Sequence, residues 1–427
     1  MKGNFQVIVI AIFIAAAVFG VLVFSGVIPI GEDESQGRGT VVLWGTVPAN
    51  LLSYLLEEFN QLHPSFTLQY AQKFPETFNQ DLLEALASGE GPDLFFLPDD
   101  LAYGYRNKIF TIPYESFPVS AFKNTFAGAG EVFMTSSGIL ALPLVIDPMM
   151  MYYNRSMLDA SGVVYPPVDW AEVTELVPVL TKKDETNKII KSAVALGQFS
   201  NIDHAKSIIT GLFMQAGNNI VGTRDGAFIS QLEDNRLSLY PAIQFYTDFA
   251  DPLKEVYSWN KGMPPSREAF SREDLALYFG YASELQTMIS RNPNQNFLAA
   301  PFPQVKSASF KVTPARVTGI AISRFSKNFN TAFIAASDMA TGSFAEKFGV
   351  ALKIPPARRD LLGRKPTDAY FPVFYSSALY GRSWLDPSPQ DTDNIFRSMV
   401  EKILSNNMTP EDALVDASAK LHLLLTK

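Results

Sequence analysis

The residues of this chain that could do chemistry are carboxylates, amides and aromatic rings placed at the ends of apolar runs. Asp99 and Asp100 follow directly on the run 93–97 (DLFFL) and Pro98. Two carboxylates there can accept hydrogen bonds from a ligand. Either can also cap a helix starting at Leu101, where aspartate is favoured, and both readings stand. Asp147 precedes Pro148 and suits ligand contact and a turn equally. Trp44, Gly45 and Thr46 end another apolar run. Gly45 permits close backbone approach, Thr46 offers a hydroxyl, and Trp44 fits core more readily than contact. Tyr152 and Tyr153 are adjacent on an extended run, so only one of them can face a given side. Trp384, in RSWLDP, is either a stacking platform or a pin holding its loop to the core.

Other chemistries are excluded or left without a motif. There is no cysteine, which removes disulfides, thiolate metal sites and cysteine nucleophiles. The three histidines, His63, His204 and His422, are far apart, so no metal site is expected. No G-x-S-x-G, H-E-x-x-H or P-loop occurs. Glycan hydrolysis needs only two carboxylates about 5–10 Å apart, and the chain has enough Asp and Glu to contain such a pair. The net charge of −8 and a pI near 5.1 provide no basic face for nucleic acid. No cofactor is implied.

Positioning these residues requires a sheet. Strands are expected at 40–44 (TVVLW), 66–70 (FTLQY) and 93–97. Helices are expected between them at 50–62 and 79–88, the second closed by Gly89. Strand–helix alternation implies an α/β fold with a parallel sheet and crossover helices. Such sheets bind ligands beyond the carboxyl ends of their strands, where Thr46 and Asp99 lie. Further strands are expected at 139–143 and 149–153. Further helices are expected at 170–180, 203–215, 240–249, 333–341 and 394–404. Asn154 and Asp169 read as helix caps, and Trp170 as core.

The run 7–30 (VIVIAIFIAAAVFGVLVFSGVIPI) is long enough to span a bilayer, which takes about 20 apolar residues. Lys2 precedes it and Glu32, Asp33 and Glu34 follow, which places what comes after it outside the membrane. Residues 1–31 are therefore expected to be a transmembrane anchor and 32–39 a short linker. A cleaved signal peptide is the alternative.

Several spaced segments together resemble the bacterial extracellular solute-binding family that includes maltose-binding and other sugar-binding components of ABC importers. They are 41–46 (VVLWGT), 55–64 (LLEEFNQLHP), 85–96 (ALASGEGPDLFF), 138–154 (GILALPLVIDPMMMYYN), 162–180 (GVVYPPVDWAEVTELVPVL) and 408–421 (MTPEDALVDASAKL). The resemblance fades over 215–300, where the tryptophan that sugar binders often carry is missing. Residues 270–288 (FSREDLALYFGYASELQTM) stand there instead.

The resemblance implies a two-lobed type II-like binding-protein fold with ligand in the interlobe cleft. Lobe 1 is expected at 40–145 plus 302–327 and lobe 2 at 149–298 plus 328–427. Hinges are expected near 145–148, 298–303 and 326–330. The expected ligand-binding residues are Thr46, Trp44, Asp99, Asp100, Asp147, Tyr153, Asn201, His204, Tyr281, Ser283, Glu284 and Trp384. For Asn201, Asp203 and His204 a simple capping role stays open. The implied function is capture of a sugar or oligosaccharide by a monomer and its delivery to ABC permease and ATPase subunits. A sensor feeding a membrane receptor, or a polysaccharide-active enzyme, are the alternatives.

Overall fold

The computed structural model describes residues 39–232, 236–306, 308–364 and 366–426. The expected anchor and linker, 1–31 and 32–39, lie outside these apart from Gly39. Among the described residues no helix is long and apolar enough to cross a membrane.

The chain opens as its sequence pattern implies. β1 (Thr40–Gly45) is followed by α1 (Ala49–Leu62), β2 (Thr67–Gln72), α2 (Phe78–Ser88) and β3 (Leu94–Pro98). β1 lies between β2 and β3 and runs parallel to both. α1 turns Leu52, Leu55 and Phe59 inward, one apolar stripe at helical spacing. Gly89 ends α2 at φ 75°, a left-handed conformation that costs glycine little.

β4 (Leu142–Asn154) joins the lobes. The two strands expected here are a single strand of 13 residues, all of them buried. A strand covered on both faces reads as a continuous apolar run, and its middle, LVIDPMMMY, does so apart from Asp147. Pro148 has no N–H for a ladder. It falls where the pairing partners of β4 change.

The second lobe holds α3 (Trp170–Leu180), β5 (Ile189–Val194), α4 (Ala205–Gln215), β6 (Leu275–Tyr281) and β7 (Phe297–Pro301). β4 pairs with β6 from Met149 to Tyr153 and with β7 from Met150 to Asn154. The return crossing is β8 (Thr313–Ile322). It pairs Ala315 with Pro148 and Arg316 with Asp147, then continues beside β3. The sheet order is β2-β1-β3-β8-β4-β6-β5, closed by Lys182–Lys183.

Three expected boundaries are corrected. Residues 298–303 are not a crossing, because β7 is laddered on β4 inside the second lobe. Phe302 packs edge-on against Trp170 and Gln304 N–H donates to Val168 O, so 302–306 and 308–312 also belong with that lobe. Residues 326–330 are no hinge either. They lead from β8 into α5 (Phe329–Thr341) and α6 (Ser343–Leu352), which pack on the first lobe. His63 Nε2 meets Asp338 at 2.6 Å, and the rings of Phe59 and Phe344 lie 6.0 Å apart at 81°. Only after these helices does the chain return, through α7 (Phe371–Ala378), whose Phe374 packs against Tyr152. α8 (Pro389–Leu404) and α9 (Pro410–Leu425) follow.

Candidate functional site

A cavity of about 490 Å³ opens at the carboxyl ends of β1 and β3. Thr46, Asp99, Asp100, Asp147 and Arg316 line it, with Phe78, Phe96 and Phe348 among its apolar walls. The sheet explains the grouping. β1 and β3 are parallel neighbours, so the residues just beyond their ends converge. β4 and β8 cross beside them and bring Asp147 and Arg316 to paired positions. A second hollow of about 500 Å³ lies between Arg106, Arg324 and Phe228. It holds none of the expected residues.

Asp99 is buried and accepts a hydrogen bond from Ser383 Oγ. Burial, and then the neighbouring Asp100 carboxylate, push its pKa up to about 7. Asp100 is open to the cavity. The protein around it still raises its pKa, against the pull of Arg316. Asp147 accepts from Ser283 N–H at 2.9 Å and from Ser283 Oγ at 2.6 Å. Burial outweighs those bonds and lifts its pKa to about 6. Asp99 begins the short helical turn Asp99–Leu101, but no side chain caps it, so the capping reading fails there.

On the second lobe, Tyr281 ends β6. Its Oη donates to Ser207 Oγ at 2.8 Å, and the Arg316 guanidinium lies 4.0 Å over its ring. Glu284 holds His204 Nε2 at 2.5 Å, Arg267 Nε at 2.9 Å and Tyr278 Oη at 2.7 Å. Burial alone would raise the Glu284 pKa, but His204, the Tyr281 N–H and Arg267 outweigh it and hold it at about 2. His204 and Glu284 thus satisfy each other. The His204 ring meets Tyr281 edge-on at 4.9 Å, which places the pair behind the Tyr281 ring.

Three expected contacts, Trp44, Tyr153 and Asn201, are placed elsewhere. Trp44 lies on β1 against the core, with Lys73 Nζ 3.6 Å over its ring. Gly45 makes room for the Phe96 ring, with which any Cβ would collide. Tyr153 is buried between β6 and β7 in the second-lobe core. Asn201 Nδ2 donates to Asn260 O and Met263 O, tying two loops together. Asp203 caps a different helix from the one expected, accepting from Arg267 N–H at the start of Ser266–Ser271. Trp384 is half-buried, next to Ser383 and 6.0 Å from Lys206 Nζ.

Residue types alone missed Arg316, Ser207, Ser383 and the buried pair Lys206–Asp386 at 2.9 Å. Arg316 left a signal. It is the lone charge in the otherwise uncharged β8 sequence TPARVTGIAI. Arg316 is exposed, so the strand carries this charge without burying it.

The arrangement offers carboxylate acceptors, a guanidinium donor and apolar walls in one hollow, lined by the first lobe and the two crossing strands. The same fold occurs in solved proteins. A cyclo/maltodextrin-binding protein complexed with maltotetraose superposes with a TM-score of 0.73 at 15% identity, over 92% of this chain and 97% of that one. A cyclic alpha-maltosyl-1,6-maltose binding protein from Arthrobacter globiformis gives 0.74 at 14%, over 90% and 98%. An ABC substrate-binding protein from Listeria monocytogenes in complex with cycloalternan gives 0.65 at 18%, over 91% and 99%. A curated protein of Brucella abortus (strain 2308), named only as a binding protein, is 21% identical over 145 residues. That match spans 33% of this chain and about a third, 34%, of the relative's own length. The pattern of the family described as Bacterial extracellular solute-binding protein matches residues 45–348, most of the chain, and the chain belongs to that family.

Proposed function

We propose that this protein captures a sugar or oligosaccharide between its lobes and delivers it to an ABC importer. The observation that carries the reading is the 490 Å³ cavity with Thr46, Asp99, Asp100, Asp147 and Arg316 on its walls. A sugar presents hydroxyls that both donate and accept, around faces that are weakly apolar. Carboxylates, a guanidinium, a threonine hydroxyl and aromatic walls match that chemistry. Oligosaccharides in complexes of proteins with this fold support the same ligand class. Tyr281, Ser283 and Trp384 are read as the second-lobe side of the site. His204 and Glu284 are read as support for Tyr281.

The run 7–30 is read as a retained membrane anchor, with the binding lobes on the outer face. Retention of the full chain in alkaline-washed membranes checks this, and its release in a shortened form would refute it.

The binding test is thermal melting of the full chain, purified in detergent, with maltotetraose, mannobiose, cycloalternan and tagatose. A ligand at 100 times its dissociation constant stabilises the folded state by about 2.7 kcal/mol. A melting shift with at least one carbohydrate is expected. Absence of a shift with all of them, at millimolar concentration, would sink the sugar assignment.

A further inference from the structure

Arg316 and Asp100 are set apart from the other charged groups around the cavity, since neither has a side-chain hydrogen bond or ion pair among the described residues. Asp99 is engaged by Ser383 and Asp147 by Ser283. Lys206 is engaged by Asp386, and Glu284 by His204 and Arg267. The Arg316 guanidinium makes no hydrogen bond or close ion pair among the described residues. It lies against the face of Tyr281, 4.0 Å from the ring centroid. That ring covers one side of the guanidinium plane and leaves the N–H edges free. Asp99, Asp100 and Asp147 are near enough to act on its charge without bonding to it.

The position is fixed from both sides. Arg316 sits on the crossing strand β8, paired in register with Asp147 on the crossing strand β4. Tyr281 is held in turn by Ser207 through its hydroxyl. A planar fork of donors is thus anchored on an aromatic face at the point where both lobes meet. Carboxylates of the first lobe stand beside it.

We infer that Arg316 is a specificity-determining ligand contact that, with Asp99 and Asp100, grips a pair of adjacent hydroxyls on an uncharged glycan. This deepens the sugar-capture reading and rests on it. The chemistry is reciprocal. Each hydroxyl accepts from the guanidinium and donates its proton to a carboxylate. Hydrogen bonds to charged groups of this kind are stronger than neutral ones. The charge balance sets the class. Three carboxylates line the hollow against one guanidinium, so an acidic sugar meets net repulsion while an uncharged diol does not.

Titration calorimetry of the full chain and of Arg316→Lys and Arg316→Met tests this. The titrants are maltotetraose, mannobiose, cycloalternan and digalacturonate. The parent protein is expected to bind at least one of the uncharged glycans and not digalacturonate. Arg316→Lys keeps the charge but not the fork, and should weaken the bound glycan about tenfold or more. Its melting temperature without ligand should stay that of the parent. Arg316→Met, which removes both the charge and the donors, should lose more affinity. Binding by Arg316→Lys and Arg316→Met equal to the parent would overturn the inference and leave the sugar reading intact. Tighter binding of digalacturonate than of any uncharged glycan would overturn the charge argument. If the parent binds no carbohydrate at all, the sugar reading fails and the inference falls with it.

Discussion

Asp99 and Asp147 are held where their charged forms are poorly solvated, and this has a cost when the cleft is empty. The ordinary aspartate value is 3.8, and in the folded protein Asp99 keeps its proton up to about 7 and Asp147 up to about 6. Between those values the folded state binds more protons than the unfolded chain, so stability falls as pH rises through that window. Glu284 has the opposite sign. Its pKa drops from 4.5 to about 2, so its contribution is full above 4.5 and lost as pH falls below that. On these three groups the unliganded protein should therefore melt highest near pH 4, lower at pH 8, and lower again toward pH 2. Asp99→Asn should raise stability at pH 8 by about 1 kcal/mol or more and reduce the gain on acidification. It should also weaken ligand binding. Melting curves across pH decide this, and a variant with the parent's pH slope would show that Asp99 is not the titrating group. The residue was visible in the sequence as a carboxylate after an apolar run. Its burial was not, because that depends on Ser383, which is 284 positions away in the chain.

Local signals translated well into elements wherever a cap or a stripe was self-contained. Asp169 was expected to cap the helix at Trp170, and it does, accepting from Glu172 N–H at 2.9 Å. Glu172 reaches back to Val168 N–H at 2.8 Å, so the two acids satisfy neighbouring orphan donors at the helix start. Asn154 likewise caps Arg155–Ala160 by accepting from Met157 N–H. Asp169→Ala should cost about 1 kcal/mol, read from denaturant unfolding with an unchanged slope. No loss would mean that the helix start is satisfied by water instead. Trp170 would still be pinned through Gln215, whose Oε1 accepts its indole N–H at 2.7 Å, so the effect should stay local. Signals failed where an element is defined by its neighbours. β6 reads LALYFGY, wholly apolar and only 7 residues long. Periodicity cannot separate such a run from a helix turn. At β4 the sequence pattern implies two strands, at 139–143 and 149–153, on either side of Pro148. The structure continues through it because Pro148 occupies the change of partners.

At the scale of the whole molecule, the question is which lobe each stretch stabilises, and the answer departs from chain order. α5 and α6 follow the return crossing β8, and the family resemblance implies the second lobe for them. Yet Phe344 packs against Phe59 of α1, Lys347 pairs with Glu58, and Phe348 stacks on Phe96 of β3 at 5.0 Å. Nothing in the composition of 328–352 announces this. Its apolar face would fit either lobe, and the choice follows from β8 ending beside β3, which delivers α5 to the first lobe's flank. Because Phe348 also lines the cavity, these helices form part of the ligand wall. Phe344→Ala removes a buried ring and should destabilise by about 3 kcal/mol. The location of the loss is the sharper readout. Hydrogen exchange should speed up in Ala49–Leu62 and Ser343–Leu352, which share that packing, while Pro389–Leu404 and Pro410–Leu425 stay protected. Tyr103 Oη donating to Leu425 O at 2.7 Å is one contact that crosses between lobes. Uniform deprotection of both lobes would mean that they unfold as one cooperative unit. Deprotection confined to the last two helices would return α5 and α6 to the second lobe.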